Sequence, residues 1–233
     1  MLTDATLEDI LRRIPRLTIG VLGDLFLDRY LDIDAALTEP SLETGLDAYQ
    51  VVRVRNYPGA AGTIINNLAA LGVKKVDLVT VVGDDGEWHE LGQALDALRV
   101  TQSLEWIYTA KDRRTPTYVK PMLHQPGQPP RELNRLDIKN RAPLSGSDEE
   151  EAVLRALTYE VVPHVDALLV LDQVSEAECG VITNRVRERL ADLGRIYPDK
   201  LILADSRERI GLFRSVSLKP NITECRRPLD GTR

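Results

Sequence analysis

The chain has 233 residues, of which 43% are hydrophobic and 28% charged, a balance ordinary for one globular domain. The 30 Lys and Arg against 36 Asp and Glu leave a formal charge of −6, which argues against nucleic acid or another polyanion as a general partner. Cys179 and Cys225 are too few for a disulfide framework and point to a reducing, cytoplasmic setting; no apolar run is long enough to span a bilayer, and the acidic start MLTDATLEDI does not read as a signal peptide.

Residues 6–14 read as a helix: Leu7, Ile10, Leu11 and Ile14 share a face, Thr6 with Asp9 resembles a capping box, and Pro15 ends it. Leu17–Leu22 is a short apolar run that reads as a buried strand, with Gly23-Asp24 as its exit. Gly59–Gly72 reads as a small-residue loop opening a helix that Gly72 caps. Val76–Val82 is a second buried strand before Gly83-Asp84-Asp85, and residues 87–98 have helical spacing. After an irregular middle the rhythm returns: helix 147–162 with an acidic first turn, strand 167–171, helix 178–193, strand 201–204, short helix 206–213 and strand 216–219. Uniformly apolar strands alternating with helices predict an α/β fold with a parallel sheet covered on both faces. Residues 31–57 and 103–137 break the pattern. Runs such as YQVVRVR, SLEWIYTA, TPTYVKPML and ELNRLDI, with the turn QPGQPP, predict a small antiparallel sheet projecting from the body.

Several polar residues fall where an open parallel sheet collects ligands, at the carboxyl ends of its strands. Asp24 and Asp28 follow the first strand, and two carboxylates there suit the hydroxyls of a polyol; a loop aspartate and a helix cap are the plainer reading. The Gly59–Gly72 segment brings backbone amides close to a ligand or simply packs a helix closely on a strand, and Asn66 or Asn67 faces a polar site or solvent. Arg113, Arg114, Thr115 and Lys120 suit a phosphate or an anionic sugar, with a solvated edge strand as the plainer alternative, and Arg135 and Asp137 share one strand face. Asp172 and Asp205 each follow a strand. Asn221 and Glu224 are one helical turn apart, which fits both a hydrated metal–phosphate and a capping box. His89, His124 and His164 have no metal-ligand spacing, and neither a Walker sequence nor G-x-G-x-x-G occurs, which disfavours a P-loop or dinucleotide site.

In order, the segments IGVLGDLFLDRYL, PGAAGTIINNLAALGV, VTVVGDDGEWHEL, RRTPTYVK, NRLDI, DALLVLDQ, LILADSRER and KPNITE resemble the ribokinase-like, or PfkB, carbohydrate kinases, above all their heptose-phosphate kinase branch. The resemblance covers residues 17 to about 224. It implies a three-layer α/β/α body with a mostly parallel sheet, built from 1–30, 58–102 and 138–233, and a small β lid from 31–57 and 103–137. It further implies phosphoryl transfer from ATP, with Mg²⁺, to a sugar or sugar-phosphate hydroxyl. Asp24 and Asp28 would bind the sugar, Gly59 would lie beneath it, Arg113 and Arg135 would face it from the lid, and Asn221 and Glu224 would organise Mg²⁺ and phosphate, Glu224 as the metal contact. A homodimer through the lid is the implied assembly. Thr63, Trp88 and Tyr118 depart from the family pattern, as does Gln-Val-Ser after Asp172. The family's Gly-Ala-Gly-Asp loop is not found in the 233 residues, so the expectation is a chain inactive by itself, or a non-catalytic sugar-phosphate-binding, regulatory or dimerising module on the same fold.

Overall fold

The computed structural model describes residues 3–226. In chain order the elements are α1 (Asp4–Arg13), β1 (Thr18–Gly23), β2 (Leu25–Asp34), β3 (Glu39–Pro40), β4 (Asp47–Ala48), β5 (Val51–Ala60), α2 (Ala61–Leu71), β6 (Lys75–Gly83) and α3 (Gly86–Asp96). There follow β7 (Thr101–Ser103), β8 (Ile107–Ala110), β9 (Thr117–His124), β10 (Arg131–Glu132), β11 (Leu136–Ile138), α4 (Asp148–Arg155), β12 (Ala167–Asp172), α5 (Asn184–Ile196), β13 (Leu201–Ser206), β14 (Ser217–Leu218) and α6 (Ile222–Arg226).

The central sheet runs β14-β13-β12-β1-β6-β7, with β8 also on β6, and every pairing is parallel. Side chains alternate along each strand, so each face receives its own core. Val79, Val81, Leu168 and Val170 pack against α4 and α5 through Val153, Leu154, Val186 and Leu190. Val76, Leu78, Ile19 and Val21 pack against α2 and α3 through Ala61, Ile65, Leu91 and Leu95. The result is the three-layer α/β/α fold that the alternating elements imply.

A second, five-stranded sheet has the order β10-β9-β2-β5, with β11 also on β9. It is mixed where an antiparallel sheet is expected: β2 and β9 run parallel over Leu27–Asp34, and only their outer neighbours are antiparallel. Its strand β2 starts at Leu25, only two residues after β1 ends, so the chain steps from one sheet to the other around Asp24. SLEWIYTA does not join it, because β7 and β8 extend the central sheet beside β6.

The first helix is capped by Thr3, whose hydroxyl accepts the Thr6 amide, so Thr6 is not the cap. The expected helix 178–193 starts later. Thr183 caps α5 by accepting the Val186 amide, while Val181 and Ile182 before it are buried in the core. Helix 147–162 forms as α4, capped by Ser147, and continues through a wider π turn over Ala156–Val161. Among the described residues, no helix is long and apolar enough to cross a membrane.

Candidate functional site

The carboxyl ends of β1, β6, β12 and β13 form one rim. At its centre Asp24 is buried, 3% exposed. Its Oδ2 accepts the amides of Gln173 (2.7 Å) and Val174 (2.9 Å), and its Oδ1 accepts the amide of Val181 (2.8 Å). Beside it Asp172 accepts the Ser206 hydroxyl at 2.7 Å and two nitrogens of Arg209 at 3.2 and 2.6 Å. Burial, and then the negative charge of Asp172, push Asp24 up to about 6 against the pull of its three amide donors.

The Gly-Asp-Asp turn after β6 holds the RRTPT segment. Asp85 caps α3 through the Trp88 amide at 2.8 Å and accepts the Thr115 amide at 2.8 Å, while the Gly83 amide donates to the Thr115 hydroxyl at 3.0 Å. Gly83 is required by close approach: a Cβ there would stand 2.7 Å from the Arg113 carbonyl oxygen. Arg113 then reaches across to the carbonyls of Ala142 and Cys179, and burial lowers its pKa.

Period-two alternation in β2 puts Phe26, Asp28, Tyr30 and Asp32 on one face of the second sheet, opposite Gly59, Tyr57 and Arg55 of β5 and Tyr118 and Lys120 of β9. Lys120 Nζ lies 2.9 Å from Asp28 and 3.3 Å from the Tyr30 hydroxyl. Burial disfavours the charge on Lys120, but the hydrogen bonds and charges of Asp28 and Tyr30 together outweigh it and the pKa rises. Arg55 grips Asp32 with two bonds of 2.9 and 2.8 Å, and together with His124 it holds Asp32 down to about 2. Arg135 sits 4.3 Å from the Tyr118 ring centre and pairs with Asp137. Along edge strand β5, beside the helices α2 and α3, lies a cavity of about 630 Å³, lined by Asp28, Tyr30, Arg55, Asn56, Thr63 and Asn66 among others. Its lining offers carboxylate, hydroxyl, amide and guanidinium groups, a set that suits a polyhydroxylated ligand carrying negative charge.

The structure thus brings Asp28 and Gly59 together: a Cβ on Gly59 would stand 2.8 Å from the Asp28 carboxylate, so the backbone there is close enough to touch the same ligand. Arg135 lies on Tyr118, which shares the Asp28 face of the sheet. Asp24 and Arg113 instead hold the segment 173–181 through its backbone. Asn221 and Glu224 form a reciprocal capping box on α6: the Asn221 side chain accepts the Thr223 and Glu224 amides, both at 2.9 Å, and Glu224 accepts the Asn221 amide at 2.7 Å. Among the described residues, no three His, Cys, Asp or Glu side chains converge as a metal site, so this pair alone does not complete a shell for Mg²⁺. Tyr30 falls in the alternating polar and aromatic run FLDRYLD, while nothing local in the sequence marks Arg55 and Tyr57 as site residues.

No family model matches the chain. It is 29% identical over 219 residues to the bifunctional protein HldE of Hyphomonas neptunium, an alignment covering 94% of this chain and 42% of that protein. It is 33% identical over 145 residues to the bifunctional protein HldE of Pelobacter propionicus, covering 62% and 28%. The chain therefore spans less than half the length of these relatives. Among solved structures, a carbohydrate kinase from Agrobacterium tumefaciens superimposes with a TM-score of 0.59 at 18% identity, covering 90% of this chain and 62% of that one. A ribokinase from Arabidopsis thaliana, complexed with ribose and ATP, gives 0.58 at 17% identity, covering 91% and 62%. The chain carries the ribokinase-like fold of carbohydrate kinases and is a sequence relative of the HldE proteins.

Proposed function

We propose that this chain forms the acceptor-binding part of a carbohydrate kinase that transfers the γ-phosphoryl group of ATP to a hydroxyl of a sugar or sugar phosphate. The observation that carries this reading is Asp28, which lines the 630 Å³ cavity, pairs with Lys120 and stands close to Gly59. A carboxylate in such a place accepts hydrogen bonds from two neighbouring hydroxyls, and Lys120 steers and balances it. Arg55, across the sheet from Tyr30, supplies the positive charge that a phosphate on the acceptor would meet. In this reading the second sheet is the lid, and its contribution is positioning and exclusion of water. ATP is the donor by analogy with the fold relatives; Mg²⁺ would neutralise the transferred phosphoryl, with Asn221 and Glu224 contributing to its hydration shell together with further oxygen ligands. A cytoplasmic location belongs to the same reading.

Binding without turnover is the second reading, and Asp24 favours it. A carboxylate pushed up to about 6 is a natural proton acceptor, yet this one is buried and its oxygens are filled by the amides of Gln173, Val174 and Val181, so it is not presented to an acceptor hydroxyl.

Calorimetry of the chain against a panel of sugars and sugar phosphates, with a parallel assay of phosphoryl transfer from ATP–Mg²⁺, tests both. Binding of at least one sugar or sugar phosphate is expected, weakened about ten- to hundredfold in Asp28→Asn, since a charge-assisted bond to a ligand hydroxyl is lost. No binding across the panel, or binding indifferent to Asp28→Asn, would refute the assignment of the cavity. Turnover separates the kinase from the binding module.

The assembly proposed with this reading is a homodimer through the second sheet. β5 is an edge strand, with Val52 and Val54 exposed, and Leu42 and Leu46 stand exposed in the connection that leads to it. Light scattering is expected to give twice the chain mass, reverting to the monomer in a Val52→Lys, Val54→Lys double variant; a monomeric wild type would end the proposal.

A further inference from the structure

Residues 173–181 lie across the carboxyl rim between the end of β12 and the start of α5. Their two ends are fixed, one by strand β12 and the other by Val181 and Ile182 in the core. Between these ends the backbone hangs on three charged side chains. Asp24 takes the amides of Gln173, Val174 and Val181. Arg209 donates to the carbonyls of Val174 and Ser175, and Arg113 donates to the carbonyl of Cys179. Gly180 fits directly over Asp24, where a Cβ would stand 2.6 Å from Oδ1. The charged groups around the Asp24 carboxylate are Asp172 on the neighbouring strand, Arg113 from the RRTPT segment and Arg209 after β13; Glu178 on the segment itself faces Arg187 at 3.3 Å and also acts on Arg209.

We infer that Asp24 is a positioning residue and that 173–181 is a strap over the sheet rim, whose closure is coupled to protonation of the Asp24 carboxylate. The closed strap seals Asp24 from water beside a second buried carboxylate; an open strap returns it to water. The backbone amides direct it, but the enclosure and the like charge of Asp172 work against its ionised form. This goes beyond the kinase reading and does not depend on which ligand the rim receives.

The sign follows from the two states. In the closed strap Asp24 titrates at about 6, whereas a hydrated aspartate titrates near ~3.9. The closed form binds the proton more tightly, so closure strengthens as pH falls through 6 and weakens as pH rises above it. The closing equilibrium is then about tenfold more favourable at pH 5 than at pH 7.

Amide hydrogen exchange on the intact chain, corrected for the intrinsic pH dependence of exchange, tests this. Protection of the Gln173, Val174 and Val181 amides is expected to be about tenfold higher at pH 5 than at pH 7, while the amides of β1 and β12 change little. Asp24→Asn replaces one acceptor oxygen by a donor and has no charge to titrate, so strap protection should be lower and its pH slope gone. A flat or falling profile in the wild type, or an unchanged slope in Asp24→Asn, overturns the inference. Should Asp24→Asn fail to fold, the wild-type profile alone decides.

Discussion

Arg209→Ala is expected to destabilise the protein by about 3–5 kcal/mol, because it leaves a buried carboxylate without its counter-ion. The Asp172 side chain is fully buried, and Arg209 provides its only cation among the salt bridges of the described residues, at 2.6 Å. Removing the guanidinium also frees the carbonyls of Val174 and Ser175 and leaves Asp172 and Asp24 as two enclosed acids. Urea unfolding followed by circular dichroism measures the loss. The companion change Asp172→Asn, made in the Arg209→Ala background, should recover a substantial part of it, since the stranded charge is then gone. A loss below about 1 kcal/mol, the range of exposed ion pairs, would show that water reaches Asp172 and that the rim is open in solution.

The parts of the fold that could be read in advance are those whose signal is local. β1, β12 and β13 carry short apolar runs, β6 is apolar but for Lys75, Asp77 and Thr80, and Gly72 marks the end of α2 by its left-handed cap. Periodicity failed at residues 178–183 because Val181 and Ile182 are apolar for a different reason: they anchor the strap in the core, and the helix waits for the Thr183 cap. The parallel pairing of β2 with β9 joins residues about 90 positions apart, as in Tyr30 with Lys120, and no local pattern announces such a partner. The same holds for the site. Asp28 and Gly59 are close because β2 and β5 are paired in register, which places the two motif residues on one face. Asp24 carries the same motif signal, yet its environment is set by amides some 150 residues downstream, which its two oxygens accept. At Asn221 and Glu224 the plain reading as a capping box is what forms.

Gly23→Ala is expected to cost about 4 kcal/mol, the sum of a backbone-strain contribution and an overpacking contribution of a few kcal/mol at most each. Gly23 ends β1 with φ at +149°, a conformation that side-chain-bearing residues rarely adopt, and a Cβ there would stand 2.2 Å from the Leu171 carbonyl oxygen. That oxygen accepts the Asp24 amide at 3.1 Å, and the Gly23 carbonyl accepts the Thr80 hydroxyl at 2.7 Å. The residue therefore sits where β1, β6 and β12 meet and where the chain leaves for the second sheet. An added methyl group cannot be relieved by a side chain turning aside, since the atom it meets belongs to the backbone of a paired strand. The strain should propagate to the Asp24 anchor: besides the lower unfolding midpoint, the amides of Gln173, Val174 and Val181 should exchange faster than those of α2 and α3. A variant whose midpoint stays within about 1 kcal/mol of wild type, in the range of ordinary surface substitutions, would mean that β1 and β12 separate more easily at this point than their register implies.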